Sequence, residues 1–136
     1  MTGGKINDNS AGGGGGVTIR YKADFTMIGG EISGNTSDYG GGIYAYSYGY
    51  NFTLGGTAVI TGNINNNAYL DNVGYITLST NNPPATGMNV GVSKRADGVI
   101  VDSGASAEVA NFFYADELGK TVFSVNDQLV ITSILP

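Results

Sequence analysis

The sequence predicts an all-β solenoid, in which short strands stack in successive turns along one axis. One phrase occurs three times, as MTGGKINDN in residues 1–9, MIGGEISGN in 27–35 and LGGTAVITGN in 54–63. Self-similarity with a period of roughly 20–50 residues is typical of stacked repeat folds. Within the repeats apolar and polar residues alternate, which indicates strands, and glycine and asparagine punctuate them, which indicates tight turns.

The repeats divide the chain into two parts. Three blocks occupy residues 1–24, 25–51 and 52–75, and the segment Ile76-Thr77-Leu78 opens a fourth. The phrase is absent from residues 79–136. A solenoid needs an atypical unit to close its exposed core and its last edge. We therefore assign residues 1–78 to the repeats and residues 79–136 to a last turn and a C-terminal cap.

Each repeat is predicted to begin with a strand and to bend at glycine or asparagine. In Phe25-Thr26-Met27 the alternation directs the two apolar side chains inward and the threonine outward. Gly29-Gly30 and Gly34-Asn35 supply the bends, because both residue types tolerate left-handed backbone angles. Stacking then places each residue above its counterpart: Phe25 on Phe52, Met27 on Leu54 and Ile32 on Ile60.

Three asparagines end the three copies of the phrase and are predicted to form one column. Asn9, Asn35 and Asn63 occupy the same place in successive blocks. Stacked asparagine side chains can hydrogen-bond along such a column and satisfy polar groups at a corner. Because asparagine is a common turn residue, a structural role is favoured over a ligand-binding role.

The segment after the repeats is predicted to be strand-rich with one short helical stretch. The strand-like segments are Met88–Ser93, Gly98–Val101, Lys120–Val125 and Leu129–Leu135. Residues 105–116 are compatible with one or two helical turns, for which Ser103 or Ser106 is the candidate N-cap.

Composition argues against several functions. The net charge is −5, which disfavours binding to the phosphates of nucleic acid. The chain has no cysteine and no histidine, so the commonest metal ligands and general base are missing, and we predict no metal and no cofactor. No apolar run approaches the roughly 20 residues of a membrane span, so no membrane insertion is expected.

The acidic residues do not form the pattern expected of an enzyme that acts on polysaccharides. Hydrolysis would need carboxylates facing each other across a sugar. Only Lys5 and Glu31 share a column, and they are predicted to form a surface salt bridge. We therefore predict that no residue is catalytic, although a polysaccharide-cleaving enzyme, tested at Asp38 or Asp71, remains the least favoured alternative.

A run of tyrosines is the candidate binding surface. In residues 43–51, IYAYSYGYN, every second residue is a tyrosine, and in a strand these rings would share one outward face. Such a face suits stacking on sugars or contact with a protein partner. The alternative is that the rings pack on one another as cross-strand stabilisation. The candidate residues are Tyr44, Tyr46, Tyr48, Tyr50 and, in the next block, Tyr69.

The pattern F-T-M-x-G-G-x-I-S-G-N-T followed by G-G-G-I-Y, in Phe25–Tyr44, resembles the repeats of bacterial and archaeal adhesin-like surface proteins. The segments Asn89–Ser93, Gly98–Gly104 and Asn111–Asp116 are similar to what often follows such repeats. The resemblance implies a short right-handed parallel β-helix of the pectin-lyase-like type with a C-terminal β-rich cap. It also implies an extracellular or cell-surface location.

Together these observations predict a non-catalytic structural or adhesive fragment of a secreted or cell-surface protein. The alternative is a carbohydrate-binding module that uses the tyrosine row. Glycans or a surface protein are the expected partners. Because Met1 already stands within the repeated phrase, we interpret the chain as a piece of a longer protein. Its open first turn is expected to favour end-to-end self-association.

Overall fold

The computed structural model describes residues 1–71 and 73–134, so that Asn72, Leu135 and Pro136 lie outside the described residues. The prediction of an all-β fold is confirmed: the chain forms a parallel β-solenoid of about four turns with 3% helix. The elements are β1 (Lys5–Asn7), β2 (Ser10–Ala11), β3 (Val17–Arg20), β4 (Asp24–Met27), β5 (Glu31–Ser33), β6 (Thr36–Ser37), β7 (Ile43–Tyr46), β8 (Asn51–Leu54), β9 (Val59–Ile60), β10 (Ala68–Leu70), β11 (Ile76–Leu78), β12 (Asn89–Lys94), β13 (Gly98–Val101), α1 (Ala107–Ala110), β14 (Phe113–Ala115), β15 (Lys120–Val125) and β16 (Gln128–Ser133).

The strands stack into three parallel ladders, one for each face of the solenoid. The first face is β1-β5-β9-β12, the second is β3-β7-β10-β12 and the third is β4-β8-β11-β13. A short corner ladder joins β2 and β6. The predicted stacking is confirmed, since Phe25 pairs in register with Phe52, Met27 with Leu54 and Ile32 with Ile60.

Alternate apolar side chains point into the solenoid and form one continuous core. Met27, Leu54 and Ile60 are fully buried, whereas Thr26, the polar residue between Phe25 and Met27, is exposed. Burial of a side chain of this size contributes roughly 1.5–3 kcal/mol to folding. Phe25 is only half-buried, because it lies in the first turn, where one neighbouring turn covers it.

The glycine runs let the corners of successive turns approach closely. The backbone N–H of Gly41 donates to the carbonyl of Asn65 at 2.8 Å, and that of Gly42 donates to Asn66 at 3.2 Å. A Cβ on Gly41 would collide with the carbonyl oxygen of Ile64, and one on Gly42 would lie 2.5 Å from the carbonyl oxygen of Asn67. Gly41 and Gly42 are glycines because no side chain fits between the turns.

The predicted asparagine column runs along the corner between the first face and the corner ladder. The side-chain oxygen of Asn35 accepts both the backbone N–H and the side-chain N–H of Asn9 at 3.0 Å. Asn35 donates in the same way to the side-chain oxygen of Asn63, again at 3.0 Å. Its amide nitrogen also donates to the carbonyl of Ile6 at 2.9 Å. Each asparagine thus links its own turn to the next turn, and Asn35 is fully buried while doing so.

The column continues into residues that the repeated phrase does not predict. Asn63 donates to the side-chain oxygen of Asn67 through its backbone and side chain, at 2.9 and 2.8 Å. Asn67 in turn donates to both carboxylate oxygens of Asp116, at 2.8 and 2.7 Å. A Cβ on Gly91 would collide with this carboxylate. Here β12 crosses directly from the first face to the second, so the corner and its column end together.

The remaining elements continue and then close the ladders. β14 adds in parallel to β12, and β16 pairs antiparallel with both β13 and β15. The predicted helical stretch is the single turn α1, and Ser106 is its N-cap, with its hydroxyl accepting the N–H of Val109 at 3.2 Å. The last predicted strand, residues 129–135, is observed as β16, and Leu135 lies outside the described residues.

Replacing Asn35 by alanine should destabilise the protein strongly, because it breaks the column in its buried part. The Asn9 N–H and the Ile6 carbonyl would lose their partner. Each buried polar group left unsatisfied costs about 1–3 kcal/mol, so for two groups we expect a loss of about 2–6 kcal/mol. The free energy of unfolding by urea measures it. The matched control is Asn9→Ala at the exposed end of the column, and an equal loss in the two variants would contradict this account.

Candidate functional site: a tyrosine cluster on the second face

The candidate surface is built on neighbouring strands of the second face. Ile43 and Ala45 of β7 are fully buried, so the alternate residues Tyr44 and Tyr46 point outward. In the next turn Tyr69 of β10 pairs in register with Tyr44, as the sequence predicts.

The outward rings pack on one another. Tyr44 stacks on Tyr46 with ring centroids 4.4 Å apart and on Tyr39 at 5.9 Å, and it meets Tyr69 edge to face at 5.6 Å. These four residues are called the tyrosine cluster below. Burial among the other rings raises the pKa of Tyr44. Tyr39 remains 56% exposed, so the cluster combines a packed centre with an open ring at its margin.

Tyr48 and Tyr50 do not belong to this row, which corrects the prediction of four rings on one face. The strand ends at Tyr46, and Ser47 has a left-handed φ of 72°. This turn breaks the alternation on which the prediction depended. Tyr48 is 64% exposed and meets Tyr21 edge to face at 5.4 Å, whereas Tyr50 packs against the core.

Asp71 fixes the turn at Ser47, which separates Tyr44 and Tyr46 from Tyr48 and Tyr50. One of its carboxylate oxygens accepts the N–H of Ser47 at 2.6 Å. The other accepts the N–H groups of Val73 and Gly74, at 3.3 and 3.2 Å. Asp71 therefore ties a turn of the second repeat to a turn of the third. No local pattern around the tyrosines signals this contact, because its acceptor comes from the next repeat.

Arg20 gives the margin of the cluster a positive charge. It lies on β3, in register with Tyr46, and its Nη1 donates to the Tyr46 hydroxyl at 2.9 Å. This hydrogen bond raises the pKa of the guanidinium. Arg20, Tyr21, Tyr46 and Ser47 line a shallow cleft of about 530 Å³. A guanidinium beside an aromatic surface can hydrogen-bond the hydroxyl or carboxylate groups of a ligand that stacks on the rings.

The polar side chain of Lys94 is buried behind the turn that Asp71 holds. Lys94 pairs in register with Leu70, so it occupies an inward position, and its ammonium donates to the carbonyl of Gly74. Burial lowers the pKa of Lys94, and the nearby Asp71 carboxylate opposes that shift. Burial also raises the pKa of Tyr50 well above its usual value, with Asp71 acting in the same direction. The Tyr50 hydroxyl has no hydrogen-bond partner among the described residues.

Most acidic side chains of the fold form ion pairs or accept hydrogen bonds that stabilise turns and strands. Lys5 and Glu31 form the predicted surface ion pair, at 3.4 Å. Residues 1–71 and 73–134 contain no cluster of three or more His, Cys, Asp or Glu side chains placed to hold a metal ion. Other acids accept hydrogen bonds from a side chain or the backbone: Asp24 from Asn51, Asp97 from Ser133, Asp102 from Gln128, Asp116 from Asn67 and Asp127 from Gly104.

Comparison of the chain with protein-family models, curated proteins and solved structures found no match. The resemblance of Phe25–Tyr44 to adhesin-like surface proteins therefore rests on its motifs and stays a prediction. The fold itself defines the class of the protein, a parallel β-solenoid. None of the helices in the described part of the chain has the length and apolar character needed to cross a membrane.

The raised pKa of Tyr50 predicts loss of stability at alkaline pH. Below about pH 10 the phenol is protonated in both states, but above it the unfolded state loses its proton first. Stability should therefore fall as pH rises above about 10, by at most about 1.4 kcal/mol per pH unit for this one group. In urea titrations at several pH values, Tyr50→Phe should flatten this fall.

Tyr48→Phe is the matched control for the alkaline effect. It deletes a hydroxyl from a tyrosine ring that is mostly exposed, so it controls for the loss of a tyrosine hydroxyl as such. Lys94 contributes a slope of the opposite sign, because its lowered pKa gives the unfolded state more bound protons below about pH 10.4. That contribution is present in both variants. Identical slopes for the two variants would refute the assignment to Tyr50.

Proposed function

We propose that this chain is a non-catalytic structural and adhesive segment of a secreted or cell-surface protein. It acts as a rigid rod that presents outward side chains to a partner. The continuous asparagine column from Asn9 to Asn67 is the observation that carries the proposal. An arrangement that ties the first three turns to one another by hydrogen bonds suits mechanical continuity, and it needs no bound group to hold it.

The use of the acidic residues supports a non-catalytic role. A pair of carboxylates that cleaves a glycosidic bond must face the sugar and keep its oxygens available to it. Asp71, one of the two acids considered for that role, accepts three backbone N–H groups and holds two turns together. Its conversion to an amide would therefore disturb the fold.

A second candidate function is carbohydrate binding by the tyrosine cluster. The exposed ring of Tyr39, the stacked pair Tyr44 and Tyr46 and the guanidinium of Arg20 lie together on one face. Rings supply apolar contact for the face of a sugar, and hydroxyl and guanidinium groups supply hydrogen bonds for its edge. The close packing of Tyr44 among three rings supports the simpler role of cross-strand stabilisation as well.

A glycan array distinguishes binding from stabilisation. If the cluster binds sugars, Tyr46→Ala should reduce the signal about tenfold or more, because a binding ring contributes energy that its truncation removes. Tyr48→Ala is the matched control, since Tyr48 is an exposed tyrosine outside the cluster. Circular dichroism of both variants confirms that they fold.

Three results of the array have distinct meanings. Loss of signal in Tyr46→Ala alone supports a sugar-binding cluster. Equal loss in both variants places the binding elsewhere or shows unfolding, which the circular dichroism separates. No signal for the unchanged protein argues against carbohydrate binding and leaves the rod as the favoured function.

The first turn offers a way for such rods to join. The strands β1 and β3 pair on one side only among the described residues, and the apolar side chain of Ile6 is half-buried there. Unpaired strand edges promote association with another chain. We therefore propose end-to-end self-association for this segment in isolation.

Sedimentation measurements over a range of concentrations test this association. The unchanged protein should form larger species as concentration rises. Ile6→Lys should abolish these species, because an inward-pointing charge disfavours pairing at a strand edge. The matched control is Ile64→Lys, which makes the same change at a side chain that is 58% exposed on a corner. A monomer at every concentration would count against self-association.

A further inference from the structure

The third face of the solenoid contains one place where stacking is interrupted. β11 pairs with β8 over three residues, from Ile76 to Leu78, but it meets the following strand, β13, only at Ile76 and Val101. The chain leaves the ladder after Val101. A regular next turn would have placed two more residues beside Thr77 and Leu78, so part of the β11 edge has no strand neighbour in the described structure.

The backbone of Leu78 faces this gap. In a parallel ladder, the N–H and C=O groups of successive residues point alternately to the two neighbouring strands. The N–H of Ser79 donates to the carbonyl of Leu54 at 2.8 Å, so Thr77 and Ser79 point toward β8. The N–H and C=O of Leu78 therefore point away from β8 and into the gap, where they are available to a further strand.

An apolar column also ends at the gap. Met27, Leu54 and Leu78 stack in register along the third face, and the first two are fully buried. Leu78 is only half-buried, because no side chain of a following strand lies over it. A strand added at this edge would bring a side chain of its own to the vacant place above Leu78.

The gap is the floor of a groove of about 420 Å³. One wall is the loop that contains Pro83 and Pro84, and the other wall contains Asp102, Ser103 and Val109. Because the open edge is only two residues long and other segments of the same chain line the groove around it, a single extended strand suits it better than the edge of a second folded copy.

Charge further defines what the groove accepts. Asp102 is exposed at its rim, and one oxygen of its carboxylate accepts a hydrogen bond from Gln128 at 3.0 Å. None of the described residues that line the groove is basic. The second carboxylate oxygen can therefore pair with a cation on the occupant.

We propose that this groove binds an extended peptide, which adds as a strand to β11. The peptide carries an apolar residue that packs over Leu78 and a nearby lysine or arginine that pairs with Asp102. Its backbone exchanges hydrogen bonds with Leu78, which is the recognition mode of strand addition. This site is separate from the tyrosine cluster, which lies on the second face.

Selection from a random-peptide phage library, followed by affinity measurements on synthesised winners, tests the proposal. Winners should combine an apolar residue with a neighbouring basic residue. Methylation of the one backbone amide that donates to the Leu78 carbonyl should weaken binding, whereas methylation of its two neighbours should not, because the N–H groups of those neighbours point away from β11. Asp102→Asn should weaken binding about threefold to tenfold, since it removes a rim charge but keeps a hydrogen-bond acceptor.

Asp38→Asn is the matched control, because it removes one exposed charge from a corner away from the groove and should leave the affinity unchanged. Thermal unfolding of both variants verifies that they are folded. Failure to enrich any peptide would overturn the proposal, as would acidic winners or proline-rich winners that tolerate amide methylation at every position. A dimer of the protein that Asp102→Asn dissociates would also overturn it, in favour of a second copy as the occupant.

Discussion

The asparagine column is the interaction on which the rest of the structure depends. A backbone that turns sharply several times in each repeat leaves N–H and C=O groups at its corners without strand partners, and burying such groups unpaired is costly. Asn35 resolves this at its corner by accepting from the turn on one side and donating to the turn on the other. Because each donor and acceptor has one position in its turn, the column also fixes how the turns are aligned.

This alignment determines which side chains reach the surface. In a strand, a shift of one residue exchanges the inward and outward faces. With the observed register, Ile43 lies over Val17 in the core, and Tyr44 is placed beside Tyr69 outside. The tyrosine cluster is thus a consequence of the same alignment that builds the core, and the two cannot be changed independently. Arg20 reaches Tyr46 for the same reason, since the two residues are in register on adjacent strands.

The sequence predicted those parts of the fold in which every repeat follows the same rule. Phe25 over Phe52 and Asn9, Asn35 and Asn63 in one column follow from aligning identical positions. The prediction from the sequence was wrong where a contact between two repeats makes one repeat differ from the others. Ser47 turns because Asp71, in the next repeat, accepts its N–H, so Tyr48 and Tyr50 leave the row. Lys94 looks like a surface residue by type, yet register places it inside over Leu70.

At the end of the solenoid, the shortened last turn both closes the core and leaves one strand edge open. β12 crosses from the first face to the second without a corner, so the asparagine column must end, and Asp116 supplies the acceptor that a further asparagine would have supplied. The shortened turn brings β13 to the third face at Val101 but no further. The hairpin of β15 and β16 then pairs antiparallel with β13, which seals that side of the sheet, while Leu78 keeps a free backbone edge beside it. The groove therefore exists because the last turn is shorter than the turns it covers, and its two-residue length follows directly from that difference.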